Sequence, residues 1–212
     1  GTGSRLYPIT KVVNKHLLPI YDKPLCYYPL SVLIKSGIRN ILVISTEKDK
    51  PLFNELLGDG SQWGVKLEYA VQESPKGIAD ALIIGKDFIG DDSVTLILGD
   101  NIIHGDDNFI NDLSNSIDIA ENMDISTIFG YKVKTPERYG VIEFDGDDVI
   151  GLEEKPTNPK SNYAIIGLYV YSNSATKYVT QIKPSARGEL EITSLNEICL
   201  KKRELNCKLL DV

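Results

Sequence analysis

Val94-Thr95-Leu96-Ile97-Leu98-Gly99-Asp100-Asn101-Ile102-Ile103-His104-Gly105 is the stretch whose reading decides the fold. Val94 to Leu98 is a short β-branched and aliphatic run, the pattern of a strand buried on both faces of a parallel sheet. It stops at Gly99, and a carboxylate and a carboxamide, Asp100 and Asn101, follow at once. Ligands of open α/β sheets gather just beyond the carboxyl ends of the strands. A carboxylate at such an end can hold a divalent cation on a phosphate. The same two residues can also cap a turn or the next helix, so this stretch alone leaves both roles of Asp100 open.

Outward from it, the first half of the chain alternates strand and helix signals. Pro24 to Gly37 has Pro at its start, Gly at its end and Leu30, Leu33 and Ile34 at helical spacing, which predicts a helix. Ile41 to Thr46 predicts a buried strand, Pro51 to Leu57 a helix, Lys66 to Gln72 an alternating strand and Ile78 to Phe88 a helix. Gln72 and Gly77 thus fall at a strand carboxyl end of the same kind as Asp100. A glutamine there either reads a base edge or satisfies the turn. Asp107 to Glu121 predicts a helix and Asp124 to Val133 a strand.

The pattern then changes. Tyr139 to Phe144 alternates, Asp145-Gly146-Asp147-Asp148 turns, and Val149 to Pro156 returns, which is a hairpin signal. Ala164 to Tyr171 predicts a further strand, Asn173 to Gln181 and Glu189 to Arg203 helices, and Leu205 to Leu210 a last strand. The expectation is one α/β domain over residues 1–212: a mixed, mainly parallel central sheet flanked by helices, with an antiparallel β extension in the second half.

Bulk composition narrows the function classes. The chain has 212 residues, 42% hydrophobic and 25% charged, enough to bury a full core. Its 23 Lys and Arg against 30 Asp and Glu leave a net charge of −7. A net acidic chain without a basic block argues against nucleic acid and anionic membranes as partners. Any phosphate must then be met by a few local cations and backbone amides. The 3 cysteines, Cys26, Cys199 and Cys207, lack disulfide or metal spacing, which points to a reducing cytoplasm. With 2 histidines, His16 and His104, a His-based metal cluster is not expected. No apolar run approaches the ~18 residues of a membrane span, and no secretory signal is visible.

The opening Gly1-Thr2-Gly3-Ser4-Arg5 is a glycine-rich loop whose amides can approach an anion. Lys15, Gln72, Gly77, Asp100 and Glu154-Lys155 extend a phosphate-and-sugar inventory. With them, in order, stand Leu6-Tyr7-Pro8, Leu17-Leu18-Pro19, Tyr21-Asp22-Lys23-Pro24, Gly58-Asp59-Gly60-Ser61-Gln62-Trp63-Gly64, Leu98-Gly99-Asp100-Asn101, Pro136-Glu137-Arg138-Tyr139-Gly140-Val141, Glu153-Glu154-Lys155-Pro156, Pro159-Lys160-Ser161-Asn162-Tyr163 and Arg187-Gly188-Glu189-Leu190-Glu191-Ile192-Thr193. The chain resembles, over essentially its whole length, the sugar-1-phosphate nucleotidylyltransferases, and is most similar to the branch that uses dTTP and glucose 1-phosphate.

The resemblance implies a Rossmann-like nucleotidyltransferase fold and the attack of a hexose 1-phosphate on the α-phosphorus of a nucleoside triphosphate, with pyrophosphate leaving. It implies that Gly1, Gly3 and Ser4 cradle the triphosphate, that Arg5 binds its phosphates, and that Lys15 acts near the reacting phosphates. Gln72 would bond the base, with Gly77 leaving room for it. Asp100 would hold Mg²⁺. Asn101, Gly140, Glu154 and the backbone at Ile165 would line the sugar site, and Lys155 would neutralise the sugar phosphate. A homotetramer is the implied assembly, and UTP in place of dTTP, or nucleotide-sugar binding without turnover, are the alternatives. Glu153 and Glu154 are adjacent on a strand, so only one can face the site. Arg187 is expected to open a helix in a structural role. The chain departs from the family pattern at His16, where relatives generally carry Gln, and at Ile166, where Thr is frequent. The family's first strand would precede Gly1, and its Asp-Thr-Gly motif, with a second metal ligand, would follow Val212.

Overall fold

The computed structural model describes residues 3–103 and 107–210. The helix foreseen from Pro24 begins at Tyr27 instead, because β1 (Pro19–Ile20) and β2 (Lys23–Pro24) pair antiparallel across a tight turn with Tyr21 at φ 61°. Then come α1 (Tyr27–Lys35), β3 (Asn40–Ser45), α2 (Lys50–Leu57) and β4 (Lys66–Val71). The helix foreseen over Ile78 to Phe88 is two short pieces, α3 (Asp80–Ile84) and α4 (Lys86–Ile89), broken at Gly85. β5 (Val94–Ile97), α5 (Asp107–Met123), β6 (Ser126–Lys132), β7 (Gly140–Asp145), β8 (Asp148–Glu154) and β9 (Tyr163–Tyr171) lie where the patterns put them. α6 (Asn173–Tyr178), which runs into a 3₁₀ turn, α7 (Ile192–Lys202) and β10 (Leu205–Leu210) complete the chain.

The result is an α/β fold with a mixed sheet. β3 and β4 pair parallel, from Asn40 opposite Lys66 to Ser45 opposite Val71. The larger sheet has the order β10-β6-β9-β7-β8, with β5 also paired to β9. There β10 runs parallel to β6, while β6/β9, β7/β9 and β7/β8 are antiparallel. The β7–β8 turn places Gly146 at φ +61°, a conformation that the missing Cβ makes accessible.

α7 starts three residues later than its sequence pattern suggests. The Leu190 N–H donates to the Lys76 carbonyl at 2.6 Å, and the Leu190 carbonyl accepts from Ala79 N–H at 3.3 Å. A residue committed at both backbone groups to another segment cannot join the helical ladder. The helix ends with Arg203 in the left-handed region at φ 62°, and Glu204 N–H bonds back to the Cys199 carbonyl at 2.9 Å.

Contacts divide the chain into two compact units, one made of residues up to Pro75 plus Ile97–Ser114, the other of Lys76–Leu96 and the residues from Asn115. Each has its own core. In the first, Leu30, Leu33, Ile41, Phe53, Leu57 and Leu67 cluster, with Ile97 packed on them. In the second, Ile128, Ile142, Tyr169, Tyr171, Leu195 and Cys199 are fully or almost fully buried. Each such aliphatic or aromatic side chain contributes about 1.5–3 kcal/mol when withdrawn from water. No helix of the described residues is long and apolar enough to cross a membrane.

Candidate active site

Gly1 lies outside the described residues, as does His104. Gly3 sits at φ +63°, and its carbonyl accepts from Thr10 Oγ1 at 2.8 Å and from Leu6 N–H at 2.9 Å. Ser4 and Arg5 belong to the 3₁₀ turn Ser4–Leu6, with Arg5 exposed. The Gly3 carbonyl is therefore tied down by the loop itself.

Lys15 begins the 3₁₀ turn Lys15–Leu17, and that turn is fastened on several sides. The Asn14 side chain accepts from His16 N–H at 2.9 Å and donates through Nδ2 to Asp49 Oδ2 at 2.7 Å. Thr46 Oγ1 donates to the same Asp49 oxygen at 2.7 Å. The His16 carbonyl accepts from Cys26 N–H at 2.9 Å. The His16 ring lies against Gly99, where an added Cβ would come within 3.3 Å of His16 Cδ2. Gly99 thus lets the strand end approach the ring, and the next residue, Asp100, meets Lys15: Lys15 Nζ and Asp100 Oδ2 form an ion pair. Burial pushes the Asp100 carboxyl up, but the Lys15 hydrogen bond and charge, with the charge of His16 and a backbone hydrogen bond, leave it below its ordinary range. Asn101 N–H donates to the Leu98 carbonyl at 3.1 Å, turning the chain just after β5. Gln72 follows β4 directly, its N–H on the Ser45 carbonyl at 2.8 Å.

The second unit gathers Gly140, Glu154, Lys155 and Ile165. Gly140 and Glu154 are register partners on β7 and β8. A Cβ on Gly140 would stand 2.8 Å from Thr193 Oγ1, 3.3 Å from Ile165 Cδ1 and 3.4 Å from Glu154 Oε2. Glu154 is held at both oxygens. Thr193 Oγ1 donates to Oε2 at 2.6 Å, and the Arg187 guanidinium donates to Oε1 at 3.3 Å. Lys155 Nζ approaches Oε1 at 3.4 Å, from a backbone at φ 46°. Arg187 also donates to Glu191 Oε1 at 2.7 Å, and Ser185 Oγ donates to that oxygen at 2.7 Å. Glu153, the neighbour of Glu154, is exposed.

Gly77, at φ +106°, belongs to this second unit and touches Leu190 two residues before α7. Arg187 does not open the helix; it stands in the preceding loop, bonded to Glu154 and Glu191. Thr193 and Arg187 were visible in the sequence only as part of the motif that runs from Arg187 to Thr193. Their partner lies 33 to 39 positions away, a separation no local pattern reports.

No group of three or more His, Cys, Asp or Glu stands together as a ready metal site among the described residues. One carboxylate at a strand end fits a magnesium-type ion in a different way: such ions are commonly held by one or two carboxylates, with substrate phosphates and water completing the shell. Asp100, already facing a cation in Lys15, has the charge and the place for that role.

These features define an α/β protein with polar clusters at its strand ends, and its relatives place it further. The chain belongs to the nucleotidyl transferase family, whose model matches residues 1–211. It is 53% identical over 211 residues to the glucose-1-phosphate thymidylyltransferase of Neisseria gonorrhoeae, covering 99% of this chain and 72% of that protein. It is 54% identical over 207 residues to the enzyme of the same name from Xanthomonas campestris pv. campestris (strain B100), covering 97% of this chain and 69% of that one. Its fold matches a crystal structure described as a glucose-1-phosphate thymidylyltransferase from Bacillus anthracis in complex with a sucrose. The TM-score there is 0.89 at 40% identity, over 100% of this chain and 84% of the other.

Proposed function

We propose that this chain joins dTTP and α-D-glucose 1-phosphate to give dTDP-glucose and pyrophosphate. The observation that carries this reading is the identity of 53% over 211 residues to a protein named for that activity. The sugar phosphate is already an anion, so its attack on the α-phosphorus needs little general-base help. The work falls to alignment and to neutralisation of charge.

The roles follow the chemistry of each side chain. The loop of Gly1, Gly3 and Ser4 receives the triphosphate, and Arg5 meets its phosphates and the departing pyrophosphate. Lys15 supplies positive charge to the reacting phosphates. Gln72 bonds the base, with the Gly77 backbone beside it; the side chain that Gly77 lacks would meet the Leu190 backbone. Glu154 accepts from sugar hydroxyls, held by Thr193 and Arg187 so that it does not reorient when substrate arrives. Asn101, Gly140 and the Ile165 backbone complete the sugar contacts, and Lys155 meets the sugar phosphate. Asp100, with Asn101 beside it, holds the divalent cation, taken here as Mg²⁺. When bound, that ion neutralises developing charge on the phosphate oxygens and draws them into line.

The test is pyrophosphate release with glucose 1-phosphate and Mg²⁺, with dTTP and UTP in parallel and Asp100→Ala as the control. Turnover that prefers dTTP and is lost in the variant is expected. Equal or better turnover with UTP reassigns the base, and nucleotide binding with no turnover on either substrate points to a nucleotide-sugar binder.

A further inference from the structure

The ion pair between Lys15 and Asp100 joins the two residues that the functional reading gives opposite tasks, one toward phosphate and one toward a cation. Both belong to the first unit. The backbone on each side is fixed. The Asn14–Asp49–Thr46 bonds and the His16 carbonyl hold the Lys15 turn, and the close approach of His16 to Gly99 sets the strand end before Asp100. What remains free is the lysine's four-carbon stem and its ammonium, whose side chain is 23% exposed, against 35% for the Asp100 side chain. An ammonium is a compact point charge on a flexible arm, able to exchange one oxygen partner for another.

We propose that Lys15 is a resident counter-cation of Asp100, and that a divalent ion takes the carboxylate only by displacing it. Loading of the ion and delivery of the ammonium to phosphate are then one exchange. A single carboxylate already neutralised in this way has little affinity for a bare ion. An ion carried on the nucleotide's phosphates arrives with the acceptor that the displaced ammonium needs, so the two enter together. The inference rests on Asp100 being a ligand of the cation.

The test uses Mn²⁺ alone, without nucleotide, followed by the loss of the free-ion signal in electron paramagnetic resonance. Lys15→Met is expected to tighten Mn²⁺ binding by about tenfold, the scale set by removing one competing, partly exposed charge. Asp100→Asn is expected to abolish binding. Acetylation of Lys15, measured by mass spectrometry against exposed Lys48 and without any metal, is expected to be severalfold faster in Asp100→Asn than in the wild type. Unchanged or weaker Mn²⁺ binding in Lys15→Met, or no measurable binding in either protein, overturns the exchange. Equal acetylation of Lys15 in the wild type and Asp100→Asn overturns it as well, without relying on the lysine variant. Mn²⁺ binding that ignores Asp100→Asn instead overturns the assignment of Asp100 itself.

Discussion

Gly77 lies against the backbone of Leu190 so closely that a Cβ built on it would come within 2.3 Å of the Leu190 carbonyl oxygen and 2.7 Å of its nitrogen. The neighbouring bonds, Leu190 N–H to Lys76 and Ala79 N–H to Leu190, fix the contact from both sides. Gly77→Ala must therefore move main chain, at a φ of +106° that an L side chain resists. A loss of about 3 kcal/mol or more in unfolding free energy is expected, read from the urea midpoint. A change under about 1 kcal/mol shows that the two segments part easily.

Thr193→Val keeps the side chain's shape and removes the hydroxyl that donates to Glu154 Oε2 at 2.6 Å. If Glu154 receives the sugar, the KM for glucose 1-phosphate is expected to rise by about tenfold, with binding of the nucleotide unchanged. Thr193→Ser, which keeps the hydroxyl, is expected to restore most of the loss. An unaltered KM in Thr193→Val removes Glu154 from the sugar site.

Tyr171 is fully buried and donates to Asn196 Oδ1 at 2.6 Å, while Asn196 Nδ2 and Thr127 Oγ1 have no partner among the described residues. Tyr171→Phe would leave the whole Asn196 amide unsatisfied. It is expected to cost about 2 kcal/mol, seen as a lower urea midpoint with an unchanged slope. Replacing Asn196 with Leu in the Tyr171→Phe background is expected to recover part of that loss, because no stranded amide remains.

The three thiols are expected to be silent in the folded chain. Burial pushes Cys26 up to about 11 and Cys207 up to about 12; burial, then the charge of Glu204, brings Cys199 to about 12. At pH 8 the thiolate share at Cys199 and Cys207 is then roughly one in ten thousand, and the thiolate is the reacting form. Ellman's reagent should label these cysteines at least about a hundredfold faster after unfolding in guanidinium than before. A rapid burst from the native protein contradicts this.

Much of the fold was legible because local chemistry decides it. β3 and β5 are rich in β-branched and aliphatic residues, β9 adds tyrosines to them, and the β7–β8 hairpin announces itself through alternation around Asp145-Gly146. What escaped was set by distant partners. Pro24 suggests a helix start, yet it pairs with Pro19 across Tyr21. Leu190 fits the helical pattern of its successors, yet its backbone is taken by Lys76 and Ala79. The same holds in the candidate site. Asp100 and Glu154 were marked by their motifs. That Lys15 reaches Asp100 across 85 positions, or that Arg187 leaves the helix to bond Glu154, depends on contacts no window of sequence contains.

The route of the chain between its two units has a consequence for synthesis. The first unit is interrupted after Pro75 and resumes at Ile97, which packs on a core built otherwise from residues between Leu17 and Tyr69. As the polypeptide leaves the ribosome, that core can gather early, but Ile97 joins it, and Asp100 reaches Lys15, only after residues 76–96, which belong to the other unit, have been translated. The carboxylate proposed to hold the cation thus arrives on a segment that returns to the first unit. Neither unit can be excised as one uninterrupted gene segment.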